Sequence, residues 1–327
     1  NYRSDPLGHQ GLRQSLCAYL NRSRGMKCSP EQIVIFNGTQ SAFDFICRLL
    51  INPGNTAIVE NPGFPGARRT LLANAAELYA IDVDENGMRS EDLAEAPEDS
   101  RLLYLSPTHH DPLGVNMSQA RKLQLLQWAR SRNAIIVEDG FDTEFRYGDK
   151  PVSCLQSLDE NGLVIYLSSF WRVLYPMLRI GYAVFPKRLL GLVSRAKSLL
   201  ERDFQSIEHE ALSLFIEEGH LERHIRKTRA LYAKRRETLL AQVYKHLAPK
   251  ARISACNSGM HLVASFPGFD FEQVLEAAAK SKLPLASSED FYYHKVRESE
   301  FLIPFAHLDE CKIAELVERF AAELTRL

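Results

Sequence analysis

Short apolar segments alternate with helical patterns through the first two thirds of the chain. Several of these segments are continuous apolar runs, which is typical of strands that are covered on both faces. Helical patterns lie between them, at 42–51 and, behind Ser118 as a helix cap, at 118–131. This alternation predicts an α/β fold with a mainly parallel sheet. The predicted strands are 32–36, 57–60, 78–81, 102–105, 134–138, 163–167 and 179–184.

The pattern changes after residue 186, where a long, charged and helical region begins. Its basic stretch, 223–236, is interpreted as a solvated helix face, because Ile225, Leu231 and Tyr232 give it an apolar side. A DNA-binding helix is the alternative. The remainder combines the strand patterns MHLVASF and FLIPFAHL with two helical patterns. It predicts a second, smaller α+β unit.

The composition is that of a soluble globular protein, with 45% hydrophobic and 25% charged residues among 327. A net charge of −1 gives no bulk attraction to nucleic acid or to an anionic membrane. The six cysteines form no CxxC pair and match no zinc pattern, which indicates reduced thiols and a cytoplasmic location. No apolar run approaches the roughly 20 residues of a membrane span. Because the sequence starts abruptly at Asn1, we expect it to be part of a longer protein.

Eight motifs follow one another in order along the chain, among them IVIFNGTQSAFDF, VENPGFPGARR, LSPTHHDPLGVNMS, IIVEDGFDTEFRY and LSSFWRVLYPMLRIGY. Together they resemble fold-type I aminotransferases, which depend on pyridoxal phosphate (PLP). The resemblance is closer still to the aminotransferase-like domain of MocR-type transcriptional regulators in the GntR superfamily. It implies a large domain at 29–235 with a mainly parallel, seven-stranded sheet, and a small domain formed by 1–28 and 236–327. It also implies a homodimer and a winged helix-turn-helix DNA reader that precedes this chain.

The resemblance places the phosphate end of a cofactor pocket at a turn that opens a helix. Thr39 and Gln40 lie in this turn, and helix N-termini attract anions because their first N–H groups lack partners. A plain strand-to-helix turn is the alternative. Ser169 and Arg179 match the hydroxyl and the arginine that bind phosphate in the family, and the fork of an arginine suits phosphate oxygens.

Two further positions match the part of the pocket that holds the cofactor ring. Asp139 matches the aspartate that pairs with the pyridine nitrogen, and a strand-end cap or an ion pair is its alternative role. Phe64 matches the aromatic residue that stacks on the ring, with a place in the core as the alternative.

The reactive positions depart from the family pattern. Arg172 stands where the family has its Schiff-base lysine, and a guanidinium does not release its proton to attack an aldehyde. Phe141 replaces a tyrosine that donates to the phenolic oxygen of the cofactor, and Asp111 replaces an asparagine that faces the same oxygen. No arginine for a substrate carboxylate lies between Arg297 and Arg319.

These departures favour an effector-binding and dimerisation domain of a regulator, without catalytic activity. Its ligand would bind non-covalently and could be PLP or another small molecule. One alternative is an active PLP-dependent aminotransferase seen as a lysine-to-arginine variant. Another is a purely structural domain with a closed cleft. A metal site at His109 and His110 is the least favoured alternative, because spacing indicates no third ligand.

Overall fold

A computed structural model describes residues 5–147, 153–174, 178–200, 207–254, 258–294 and 300–326 of the chain. The helices are α1 (Gln10–Arg24), α2 (Thr39–Leu50), α3 (Pro65–Ala73), α4 (Gln119–Arg132), α5 (Leu155–Leu158), α6 (Leu190–Leu200), α7 (Ile207–Glu217), α8 (His220–Leu247), α9 (Phe271–Ser281) and α10 (Glu310–Thr325). The strands are β1 (Ile33–Phe36), β2 (Thr56–Asn61), β3 (Glu77–Asp84), β4 (Gly87–Met88), β5 (Leu102–Leu105), β6 (Ile135–Asp139), β7 (Val164–Ser169), β8 (Gly181–Val184), β9 (Arg252–Ile253), β10 (His261–Ser265), β11 (Ala286–Ser287) and β12 (Glu300–Pro304).

The larger sheet has eight strands in the order β1-β8-β7-β6-β5-β2-β3-β4. The strands from β7 to β3 in this order pair in parallel, whereas β8 runs antiparallel to both of its neighbours. All seven predicted segments form strands of this sheet, so the α/β class is confirmed. The expected number of seven strands is too low, because the two-residue strand β4 is too short to show any periodicity.

Burial on both faces explains why the parallel strands are continuous apolar runs. In β5, Leu102 and Tyr104 belong to a buried cluster with α2 and α3. The alternate residues Leu103 and Leu105 belong to a second cluster on the opposite face, with α4. Every residue of this strand is therefore buried, and polar alternation is absent.

The long helix α8 connects two buried clusters. Ile225, near its start, packs with the large sheet, while Leu239 and Val243 pack with the small unit. Tyr232 packs against both clusters, as its predicted place on the apolar side requires. Leu231 was expected on the same side, but it is exposed. At 3.6 residues per turn, Tyr232 lies on the side of the helix that carries Ile225, and Leu231 does not.

The small unit contains a four-stranded antiparallel sheet in the order β11-β12-β10-β9, which confirms the predicted α+β tail. Helix α1 packs elsewhere, since Leu12 and Leu16 share a cluster with Ile33 of β1 and Tyr182 of β8. The division into 29–235 and 1–28 with 236–327 stays a prediction, because packing within one chain does not define which segments move together. Among the described helices, none has the length and apolarity needed to cross a membrane.

Candidate functional site

A cavity of about 220 Å³ opens where β6 and β7 end and α2 begins. The carboxyl ends of neighbouring parallel strands meet at one edge of a sheet, and ligands of α/β proteins bind there. Seven of the nine site residues expected from the sequence line this cavity: Thr39, Phe64, Asp111, Asp139, Phe141, Ser169 and Arg172. Five further residues complete its wall: Gly140, Asp142, Glu144, Ser168 and Trp171.

Two expected residues do not line the cavity. Gln40 faces α3, where its side-chain nitrogen donates to the backbone oxygen of Gly66 at 3.1 Å. The guanidinium carbon of Arg179 lies 5.5 Å from the centre of the Trp171 ring, and Trp171 itself lines the cavity. Arg179 is exposed and contacts the wall only through Trp171 among the residues that line the cavity.

Two backbones approach each other closely at the position where the resemblance predicts the phosphate end. Gly38, the residue that caps α2, has φ +91° and no side chain to occupy the first N–H groups of the helix. A Cβ atom on Gly181, at the start of β8, would lie 2.5 Å from the carbonyl carbon of Gly38. Glycine at 181 allows β8 to pack directly against this turn, and nothing lies within 4 Å of a Cβ position on Gly38, so space remains beside the start of α2.

The carboxyl group of Asp139 is held by two donors at the end of β6. The hydroxyl of Tyr104 donates to it, and so does the backbone N–H of Phe141. Burial raises the pKa of Asp139 to about 6, while the hydrogen bonds and Arg172 act in the opposite direction. Sequence reasoning missed Tyr104, although a tyrosine in a buried strand signals that its hydroxyl needs a partner.

Arg172 lies against Phe141 and beside Asp142. Its guanidinium carbon is 4.7 Å from the centre of the Phe141 ring, and its Nε is 3.8 Å from Oδ1 of Asp142. Burial raises the pKa of Asp142 to about 7 and that of Asp111 to about 7, and Arg172 partly counteracts both shifts. Asp142 was missed because it lies within the motif IIVEDGFDTEFRY but the resemblance assigns it no role.

His109 and His110 occupy separate environments behind this wall. The ring of His109 stacks on Phe141 with centroids 5.7 Å apart, and burial lowers its pKa to about 3, so that it is neutral. His110 accepts from the backbone N–H of Leu113 through Nδ1, so its Nε2 carries the proton and donates to the oxygen of Pro62 at 3.0 Å. Within the described part of the chain, no three side chains of metal-binding type are grouped.

The fold and this cavity define a protein of the fold-type I PLP-dependent transferase class. The chain matches the family described as "Aminotransferase class I and II" over residues 3–320, and it belongs to that family. It is similar to the structure of the kynurenine aminotransferase of Pyrococcus horikoshii, with a TM-score of 0.89, 29% identity, and coverage of 100% of this chain and 82% of that one.

Curated relatives include transcriptional regulators. The "Probable rhizopine catabolism regulatory protein MocR" of Rhizobium meliloti is 35% identical over 306 residues, which are 92% of this chain and 61% of that protein. The "Uncharacterized HTH-type transcriptional regulator YdeL" of Bacillus subtilis is 32% identical, over 97% of this chain and 68% of that protein. The resemblance to MocR-type regulators is thereby confirmed. The chain spans about three fifths of the Rhizobium protein.

Proposed function

We propose that this chain is the effector-binding and dimerisation domain of a transcriptional regulator, and that it holds its ligand without a covalent bond. The observation that carries the proposal is the presence of Arg172 in the wall of the cavity, where the family has its reactive lysine. A guanidinium keeps its proton at neutral pH, so it is neither a nucleophile nor a base there. The guanidinium of Arg172 also stacks on the ring of Phe141.

The cavity residues fit one part of PLP and not the other. The start of α2 suits a phosphate, and Asp139 suits a protonated ring nitrogen, since its carboxylate is placed by Tyr104. The positions that would face the aldehyde and the phenolic oxygen offer Arg172, Phe141 and Asp111, none of which supplies a free amine or a family-type amide or hydroxyl donor. PLP, if bound, would therefore be a non-covalent ligand here.

The names of the relatives support a role in gene regulation. Two of them are described as HTH-type or regulatory proteins, and this chain spans only 61% and 68% of their lengths. We infer that an attached helix-turn-helix domain reads DNA and that ligand occupancy shifts the equilibrium between two states of the dimer. Bound ligand would then alter DNA affinity through differential binding to those states.

An apolar groove supports the dimer part of this proposal. Leu174, Leu178 and Phe215 form its wall, and Ile207 beside them is 86% exposed. An exposed apolar groove of this kind is suited to burial against a second copy of the chain. Ile207→Glu is expected to shift the protein toward monomer in sedimentation velocity. Leu123→Glu, on the exposed side of α4, serves as the control and leaves the mass unchanged.

The proposal is tested by adding PLP and measuring binding and covalent attachment separately. Isothermal calorimetry is expected to detect binding, while borohydride reduction followed by peptide mass mapping finds no adduct within the cavity. The variant Arg172→Lys is the positive control for the mapping. Transamination by the unaltered chain would instead support the alternative function, a PLP-dependent aminotransferase. The similarity to the kynurenine aminotransferase is the observation that favours this alternative.

A further inference from the structure

We propose that the cavity recognises a protonated amine on its ligand, held by the carboxylates of Asp142 and Asp111. The inference rests on the proposed function and adds the chemical class of the ligand. It concerns the part of the cavity where the family uses a lysine, and it assigns a role to Asp142, to which the resemblance gives none.

The first observation is an unsatisfied carboxylate in the cavity wall. The side chain of Asp142 is 0% exposed, and among the described residues neither of its oxygens has a hydrogen-bond partner. Its nearest cation is Nε of Arg172 at 3.8 Å, which is too far for a hydrogen bond. Buried polar groups in proteins are almost always paired, so an unpaired carboxylate that lines a cavity indicates a missing donor.

The second observation is the balance of charge around that carboxylate. Asp111, Asp139, Asp142 and Glu144 all line the cavity. Glu144 is neutralised by Arg24, whose nitrogen lies 2.5 Å from its Oε1. In addition to the effect of burial, Asp139 and Asp142 raise the pKa of Asp111, and Asp139 also raises the pKa of Asp142, while the guanidinium of Arg172 lowers the pKa of all three.

Among the described residues, the two basic side chains that contact the ring of Phe141 do not supply the missing positive charge. His109 is neutral, and Arg172 is 45% exposed on its side chain and stacks on Phe141 without closing on any carboxylate. A ligand ammonium offers three N–H donors and one positive charge, which is the complement of this arrangement. A hydroxyl in the same place offers one donor and no charge.

The test uses two probes that differ in one group. Pyridoxamine 5′-phosphate and pyridoxine 5′-phosphate share the ring, the phenolic oxygen and the phosphate, but the first carries an aminomethyl group where the second carries a hydroxymethyl. Neither has an aldehyde, so covalent attachment does not enter. By calorimetry on the full chain, we expect the amine to bind about tenfold more tightly or better, as for a charge-assisted hydrogen bond in a buried site.

The variant Asp142→Asn is expected to remove most of that preference. Asp142 has φ +49°, a conformation that asparagine also adopts readily, so the substitution is compatible with the backbone. Asp290→Asn, at an exposed carboxylate with 81% of its side chain accessible, is the matched control and retains the preference. Asp111→Asn provides a second variant with the same expected loss.

The outcomes separate this inference from the proposed function. Equal binding of both probes, or a preference that survives both Asp142→Asn and Asp111→Asn, overturns the amine site and leaves ligand binding intact. Absence of heat with both probes counts against the ligand-binding function itself. A preference for the amine that Asp142→Asn abolishes and Asp290→Asn retains supports both.

Discussion

The guanidinium of Arg172 stacks on the ring of Phe141, with 4.7 Å between the guanidinium carbon and the ring centre. The contact joins two positions at which the chain departs from the aminotransferase pattern. A cation–π contact of this kind contributes about 0.5–2 kcal/mol. Replacing only Phe141 by tyrosine, or only Arg172 by lysine, would not reproduce the family arrangement. The two departures therefore form one unit, and the chemistry of the pocket depends on both.

The first prediction is that Arg172→Lys restores covalent attachment of PLP but very little transamination. A lysine can lose its proton and react, yet Phe141 still lacks a hydroxyl and Asp111 still places a carboxyl group at the phenolic end. Attachment is measured by borohydride reduction and mass mapping, and transamination by a coupled assay with several amino acids. The combined variant with Phe141→Tyr and Asp111→Asn is expected to be more active. Full activity from Arg172→Lys alone would show that only the lysine had been lost.

A second prediction concerns the pH dependence of stability. Burial raises the pKa of Asp142 to about 7, so the folded state binds more protons than the unfolded state below that pH. Stability from this group is present at low pH and is lost as the pH rises through about 7. Asp142→Asn removes the buried charge, so the ligand-free variant is expected to melt at a higher temperature than the parent near pH 8.

That gain should shrink toward pH ~5, where the carboxyl group of the parent is protonated in the folded state. Asp290→Asn, at an exposed position, gives the baseline for an ordinary amide substitution. A constant difference between Asp142→Asn and the parent at all pH values would mean that the carboxyl group does not titrate in this range.

The strands could be predicted from the sequence because a strand that is buried on both faces is apolar at every position, and such a run is visible locally. In β5 each residue packs into one of two clusters, and the run Leu102–Leu105 is apolar throughout. Leu231 shows the limit of the same reasoning, since apolar residues also occur on exposed helix faces. Strand β4 could not be predicted, because two residues are too few to show a hydrophobic pattern.

The site was predictable only where motifs marked it. Asp139 and Arg172 follow from their match to the family motifs, whereas the environment of Asp142 and the hydrogen bond of Tyr104 depend on contacts that the sequence does not encode locally. Tyr104 lies 35 residues before the carboxylate to which it donates, and the parallel pairing of β5 with β6 places it there. Long-range pairing of this kind has no periodic signature.

A third prediction tests the packing behind the cavity. Gly259 has φ +82°, and a Cβ atom there would overlap the ring of His109. Gly259→Ala is expected to lower the free energy of unfolding by about 1–2 kcal/mol through backbone strain and by a further 1–3 kcal/mol through the overlap. Gly268→Ala, with φ +91° and nothing within 4 Å of its Cβ position, should show the strain alone. Equal losses in urea denaturation would mean that the His109 ring moves aside freely.

The last prediction separates two buried tyrosine hydroxyls. Tyr104 donates to Asp139, and this hydrogen bond lowers the pKa of that carboxyl group against the effect of burial. Tyr104→Phe removes the donor, so the pKa of Asp139 is expected to rise and the protein to lose about 1–3 kcal/mol near neutral pH. The hydroxyl of Tyr166 is also buried but has no hydrogen-bond partner among the described residues, so Tyr166→Phe should be neutral or stabilising. Chemical denaturation of both variants measures the contrast. An equal loss from both would show that the hydroxyl of Tyr104 gains nothing from Asp139, and that the carboxylate is held in place by the N–H of Phe141 alone.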